Sequence, residues 1–157
     1  MKSPSNAAQT VLPTLTVIPL PMPTSNALLT VHVFGKPGCA KCSMLNRRLD
    51  KMLAEDPRYA RFHKEYHNVL DENGLVEFCK TECLNPSRIP AMVVGTQDEA
   101  GKIHYLVNPT PDAADPVCKH SRLYQFLGIQ TDYSEEGKGL ITPEMIQTIL
   151  DEALTLA

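Results

Sequence analysis

The stretch GKPGCAKCSML, Gly35 to Leu45, sets two cysteines three positions apart where one kind of sequence pattern gives way to another. Upstream, Leu28–Phe34 is apolar and rich in β-branched residues, the pattern of a buried strand. Downstream, Cys42, Leu45, Leu49, Met52 and Leu53 fall on one helical face, with Arg47, Arg48 and Lys51 elsewhere, and Asp56-Pro57 predicts the end of that helix. Cys39 and Cys42 therefore stand at a strand-to-helix turn. Such a pair is a redox couple, half of a metal site, or two small core residues.

The pattern stays regular further along the chain. Phe62–Val69 reads as a second strand, although it carries His63, Lys64, Glu65 and His67. Leu75, Cys79 and Cys83, spaced by four with Val76 beside them, predict a helix over 71–84. Ala91–Thr96 is a compact apolar strand, Gln97–Gly101 a turn, and Lys102–Val107 the returning strand of a hairpin. Pro109–Gly139 is an excursion with a short helix expected near Ser121–Leu127. Thr142-Pro143-Glu144 then supplies an N-cap, a proline at the first helical position and an acid in the first turn. Met145, Ile146, Ile149, Leu150, Ala153 and Leu154 form the apolar face that follows. A βαβ unit, a hairpin and a closing helix imply an α/β fold, a central mixed sheet with helices on its faces.

Residues 1–27 differ, with Pro4, Pro13, Pro19, Pro21 and Pro23 and one charge, Lys2. Proline fixes φ and lacks the amide donor, so an extended or disordered arm is expected. The run VLPTLTVIPL is apolar enough to lie on a partner. Residues 28–157 are then the folded domain, with 108–139 as an insertion.

Composition bounds the rest. Of 157 residues, 43% are hydrophobic and 21% charged, an ordinary globular balance. A net charge of -3 argues against a nucleic-acid partner. No apolar run approaches the ~18 residues a membrane span requires. Five cysteines, an odd count, do not suggest a secreted disulfide framework. Val11–Met22 is broken by prolines and preceded only by Lys2, a poor signal peptide, so a cytoplasmic protein with thiols that cycle is expected.

The turn gives Cys39 a chemistry. Free amides and the helix dipole at a helix start favour an anion, and the thiolate is the reactive form of a cysteine whose ordinary pKa is about 8.5. Lys36, Lys41, Arg47, Arg48 and Lys51 face a single acid, Asp50, across this stretch, and Lys36 and Lys41 flank the pair directly. Cys42, one turn on, is placed to attack a mixed disulfide on Cys39.

Val31–Cys42, VHVFGKPGCAKC, resembles the active-site strand and turn of the thioredoxin/glutaredoxin superfamily, including the small redoxins that serve ribonucleotide reductase. Arg88-Ile89-Pro90-Ala91-Met92-Val93-Val94 resembles the family's second signature, an Ile/Val-Pro pair before the third strand. The resemblance spans roughly residues 28–107 and again the terminal helix. It implies a thioredoxin-like fold, a cis Pro90 packed beside the cysteines, and an Ile89 backbone that pairs with an incoming substrate chain. The chain also departs from the family. Ala40-Lys41 replaces the Gly-Pro or Pro-Tyr between the cysteines, there is no tryptophan, and no acid stands near Val31–Val33. After Val94 the sequence GTQDEAGK holds no counterpart of the glycines and acid that bind glutathione.

The remaining cysteines leave alternatives open. Cys79 and Cys83 are two small core residues or a second thiol pair. Cys39, Cys42, Cys79 and Cys83 together, C-x2-C-x36-C-x3-C, are the ligands of an alternative [2Fe-2S] cluster, since thioredoxin-like ferredoxins carry a similar C-x3-C and a terminal helix like that at Ile141–Glu144. Zinc ranks lower, because C-x3-C on a helix is unusual spacing for it. Cys118-Lys119-His120 reads as an incidental loop, and His32, His63, His67 and His104 as satisfied or exposed strand residues. The acids of Asp132–Glu152 read as a solvated surface.

The expectation is a small thiol–disulfide oxidoreductase that needs no bound cofactor. Cys39 attacks, Cys42 resolves, Lys36 and Lys41 help hold the thiolate, and Ile89 and Pro90 present the substrate. Its partners are a protein disulfide and a reductase. The rival classes are a [2Fe-2S] electron carrier and a non-catalytic docking subunit.

Overall fold

The computed structural model describes residues 28–81, 85–112 and 115–157. The arm expected over 1–27 lies outside the described residues, as does Cys83. The elements are β1 (Leu29–Gly35), α1 (Ala40–Glu55), β2 (Phe62–Asn68), α2 (Glu72–Lys80), β3 (Ala91–Gln97), β4 (Ile103–Tyr105), β5 (Gly128–Gln130) and α3 (Pro143–Leu156).

β1 is the axis of the sheet. It runs parallel to β2 and antiparallel to β3, with Val31 beside Lys64 on one side and Val94 on the other. The strand order is β2-β1-β3-β4, and β5 joins the same outer edge of β3 further along. This is the α/β fold with a central mixed sheet that the element order in the sequence implies, and it is consistent with the thioredoxin-like fold that the resemblance implies.

Alternation along the strands divides the core in two. Leu29, Val31 and Val33 of β1, with Met92 and Val94 of β3, pack on Leu45 and Leu49 of α1 and on Ile146, Ile149 and Leu150 of α3. Phe34, Ala91 and Val93 face the other way, against Phe78 of α2 and Leu123. His32 and His67 lie on this second face, stacked on each other; His67 also stacks on Phe34, and Tyr105 meets His32 edge-on.

The helix ends follow from local chemistry. Asp56 closes α1, and its carboxylate then accepts from the Arg58 amide at 2.9 Å in the turn that Pro57 begins. Thr142 caps α3, its hydroxyl accepting from the Met145 amide at 3.2 Å, with Pro143 in the first turn.

Three expectations fail here. The helix over 71–84 ends at Lys80, and its inward face is Gly74 and Phe78; Leu75, Val76 and Cys79 are exposed. The reason is proximity: α2 comes so close to the end of β2 that any side chain at position 74 would run into the Asn68 carbonyl. Glycine fixes which side faces in, and Leu75 is turned outward.

No helix forms at Ser121–Leu127. A single 3-10 turn spans Lys119–Ser121, and the chain then extends into β5, where a side chain at Gly128 would meet the Met92 carbonyl. Nor is Cys118 incidental, since it is 1% exposed and packed in the main core. Arg122 ties this excursion down by reaching Asp115 at 2.5 Å and Glu152 of α3 at 2.6 Å. No helix among the described residues is long and apolar enough to cross a membrane.

Candidate active site

β1 delivers the chain into the turn Lys36-Pro37-Gly38. Gly38 has φ +74, the left-handed region that glycine enters without a steric cost. Cys39 follows as the N-cap of α1, with φ -99 and ψ 107, and its sulfur accepts from the Cys42 amide at 3.1 Å. Gly35, the last residue of β1, makes room for the second cysteine: a Cβ there would lie 3.0 Å from the Cys42 sulfur.

Cys39 and Cys42 are joined in a disulfide, with Cα atoms 5.2 Å apart. Their settings differ. Cys42 is 2% exposed and faces the core with Leu45 and Leu49, whereas Cys39 is half-buried. Solvent and any partner therefore meet Cys39 first. When the bond opens, charge on the Cys39 sulfur falls where amides of the first helical turn and the helix dipole favour it.

The flanking lysines part company. Lys36 is exposed in the turn. Lys41 donates from Nζ to the Gly139 carbonyl at 2.8 Å and lies 5.8 Å from the centre of the Tyr133 ring, so its ammonium is engaged with the segment after β5.

The Ile89–Pro90 peptide is cis, and both residues are buried. Their carbonyls are already bonded. The Thr131 hydroxyl donates to Pro90 O and the Tyr133 hydroxyl to Ile89 O, each at 2.6 Å. Lys41, Met44, Arg48, Pro90, Thr131 and Gly139 enclose only about 10 Å³, room for one water at most. Residues 131–141 thus fill the flank of α1 beside Pro90. A cavity of about 660 Å³ lies instead along the C-terminal half of α1, among Arg48, Lys51, Met52, Glu55 and Pro143, and neither cysteine lines it.

The remaining thiols are placed elsewhere. Cys79 is exposed on α2, across the sheet from α1, so it does not join the pair in the described residues. The Cys118 thiol is pushed up to about 12 by burial and then by Asp115, so it stays protonated at neutral pH.

Sequence reasoning missed Tyr133 and Gly35. Gly35 was readable, as a glycine closing a strand just before the cysteine turn. Tyr133 had no local signal, because its contacts with Ile89 and Lys41 lie 44 and about 90 positions away along the chain.

No family model matches the sequence, and no curated protein matches it. Among solved structures, the chain is similar to the oxidized form of mitochondrial thioredoxin 3 from Saccharomyces cerevisiae, at 20% identity and a TM-score of 0.34, over 52% of this chain and 70% of that one. A likeness of that size says nothing of activity, and the chemistry rests on this chain's own cysteines.

Proposed function

We propose that the protein is a thiol–disulfide oxidoreductase acting on protein disulfides. The observation that carries this reading is the asymmetry of the pair: a half-buried sulfur at a helix N-cap, bonded to a buried one a turn later. In the reduced protein, the Cys39 thiolate attacks one sulfur of a substrate disulfide. An S–S bond forms between Cys39 and the substrate, and the substrate's other sulfur leaves as a thiolate that takes up a proton. The Cys42 thiolate then attacks Cys39, closes the internal disulfide and expels the second substrate thiol. Two electrons pass to the substrate, and an external dithiol donor restores the pair.

This chemistry needs no bound cofactor, and it suits a reducing, cytoplasmic setting. Lys36, exposed beside the turn, is available to a docking substrate. Pairing with the backbone of Ile89 requires the Tyr133 hydroxyl to release the Ile89 carbonyl, so Tyr133 sets how freely a peptide reaches the Pro90 edge.

The test is insulin reduction by dithiothreitol. Cys39→Ser is expected to lower the rate to the uncatalysed background, and Cys42→Ser to accumulate a mixed disulfide. Cys79→Ser and Cys118→Ser should retain the rate. Full activity of Cys39→Ser would overturn the assignment, and an equal need for Cys39, Cys42, Cys79 and Cys83 would move them into a [2Fe-2S] cluster.

A further inference from the structure

The parallel register of β1 and β2 sets His32 beside Glu65 and Phe34 beside His67. All four side chains share the α2 face of the sheet, opposite the α1 face. His32 Nδ1 lies 2.8 Å from His67 Nε2, and the Glu65 carboxylate is 3.8 Å from the same His67 nitrogen. One donor atom from each residue falls within 4.8 Å of the others.

We propose that His32, His67 and Glu65 form a binding site for a divalent transition metal of the zinc class. Tetrahedral zinc holds nitrogen and carboxylate donors about 2.0–2.2 Å from the metal, which spaces them roughly 3.3 Å apart. Here the two measured separations fall about half an ångström to either side of that value. Small side-chain rotations bring all three donors onto one ion. Two imidazoles and one carboxylate suit zinc, cobalt or nickel rather than magnesium or calcium, which take oxygen ligands.

The burial of His32 sets the chemistry of its ring. His32 is 1% exposed, and its Nε2 is the buried side-chain nitrogen without a hydrogen-bond partner among the described residues. Its neighbours in β1 on either side are valines, and an apolar residue at 32 would fill the same space with no polar atom to satisfy. His32 Nε2 is on the opposite side of the ring from His67; with Nδ1 turned to a metal, Nε2 carries the ring proton, so the donor offered to the site is Nδ1.

The surroundings fit a cation. Glu77, held by Lys80 and the Tyr105 hydroxyl at 2.8 Å each, adds a second carboxylate that acts electrostatically on both imidazoles. Burial holds His32 down to about 4 and also lowers His67, so both rings are neutral and offer lone pairs at neutral pH. Glu65 is 46% exposed on β2, the edge strand, which leaves an entry path and an open coordination position.

The test is a cobalt(II) titration of the oxidised full-length protein carrying Cys79→Ser and Cys83→Ser, followed by displacement with zinc. The closed Cys39–Cys42 disulfide offers no thiolate, so the readout is independent of redox activity. One equivalent of cobalt is expected to bind, with the visible bands of a tetrahedral nitrogen–oxygen site and no thiolate charge-transfer band. His67→Gln should weaken binding about 100-fold and Glu65→Gln about 10-fold. Both residues lie on the edge strand, and circular dichroism checks that each variant is folded. Absence of binding at millimolar cobalt, equal affinity in both variants, or a thiolate-type spectrum would overturn the site.

Discussion

The two faces of the sheet are made from alternate residues of the same strands, yet they are different materials. Toward α1 and α3 lie Leu29, Val31, Val33, Met92 and Val94, packed on leucines and isoleucines. Toward α2 lie His32, Phe34, His67 and Tyr105, with Glu77 bonded among them. The first face draws its stability from apolar area removed from water, which does not depend on pH. The second is built from rings that titrate. The apolar face carries the helix that presents Cys39, and the titratable face stands away from it.

Truncating the apolar face should have the largest effect. Leu49 is fully buried, and Leu49→Ala is expected to cost about 2–5 kcal/mol, measured by urea unfolding. The cost should be the same at neutral and mildly acid pH. A cost that changes with pH would break the contrast between the faces.

The α2 face should respond to acid. Burial, then the neighbouring His67, lowers His32 to about 4 from the ordinary 6.5 that the unfolded chain keeps. Between those values the unfolded chain holds a proton that the folded chain lacks. Stability is therefore full above 6.5 and falls as pH drops toward 4, by about 2 kcal/mol at about pH 5. Urea midpoints across this range should show the fall in the native chain and a shallower one in His32→Gln. An equal fall in both would place the titrating group elsewhere.

The smallest change concerns the seam where the excursion meets Pro90. Tyr133→Phe removes one bond to Ile89 O and should cost about 1 kcal/mol or less. It should also speed reduction of protein disulfides relative to a small disulfide such as oxidised dithiothreitol. An unchanged ratio would mean that Tyr133 does not limit access to the Ile89 backbone.

What could be read in advance was local. The cysteine turn, α1 with its stop at Asp56-Pro57, the β3–β4 hairpin and the Thr142 cap each depend on neighbours within a few positions, and each lies where the sequence places it. Misreadings came where distant segments decide. Leu75, Cys79 and Cys83 make a good helical stripe, but the close approach of Gly74 to Asn68 turns Leu75 and Cys79 outward. The three residues of β5 are too few to show a period, and they become a strand only because the edge of β3 is there to receive them. His32 and His67 looked scattered because parallel pairing across a whole βαβ unit leaves no spacing rule to recognise.

That edge has a consequence for how the molecule behaves in company. β5 covers Ala91–Val93 and β4 covers Gly95–Gln97, while the amide and carbonyl of Val94, between them, bond Leu127 O and the Leu106 amide. The whole outer rim of β3 is therefore spoken for by the chain itself. An open rim of that length, apolar on both sides, would be a template for strands of other molecules. The hairpin and the long excursion together act as a selvedge, a finished border along β3, while β2 on the far side of the sheet keeps an open edge.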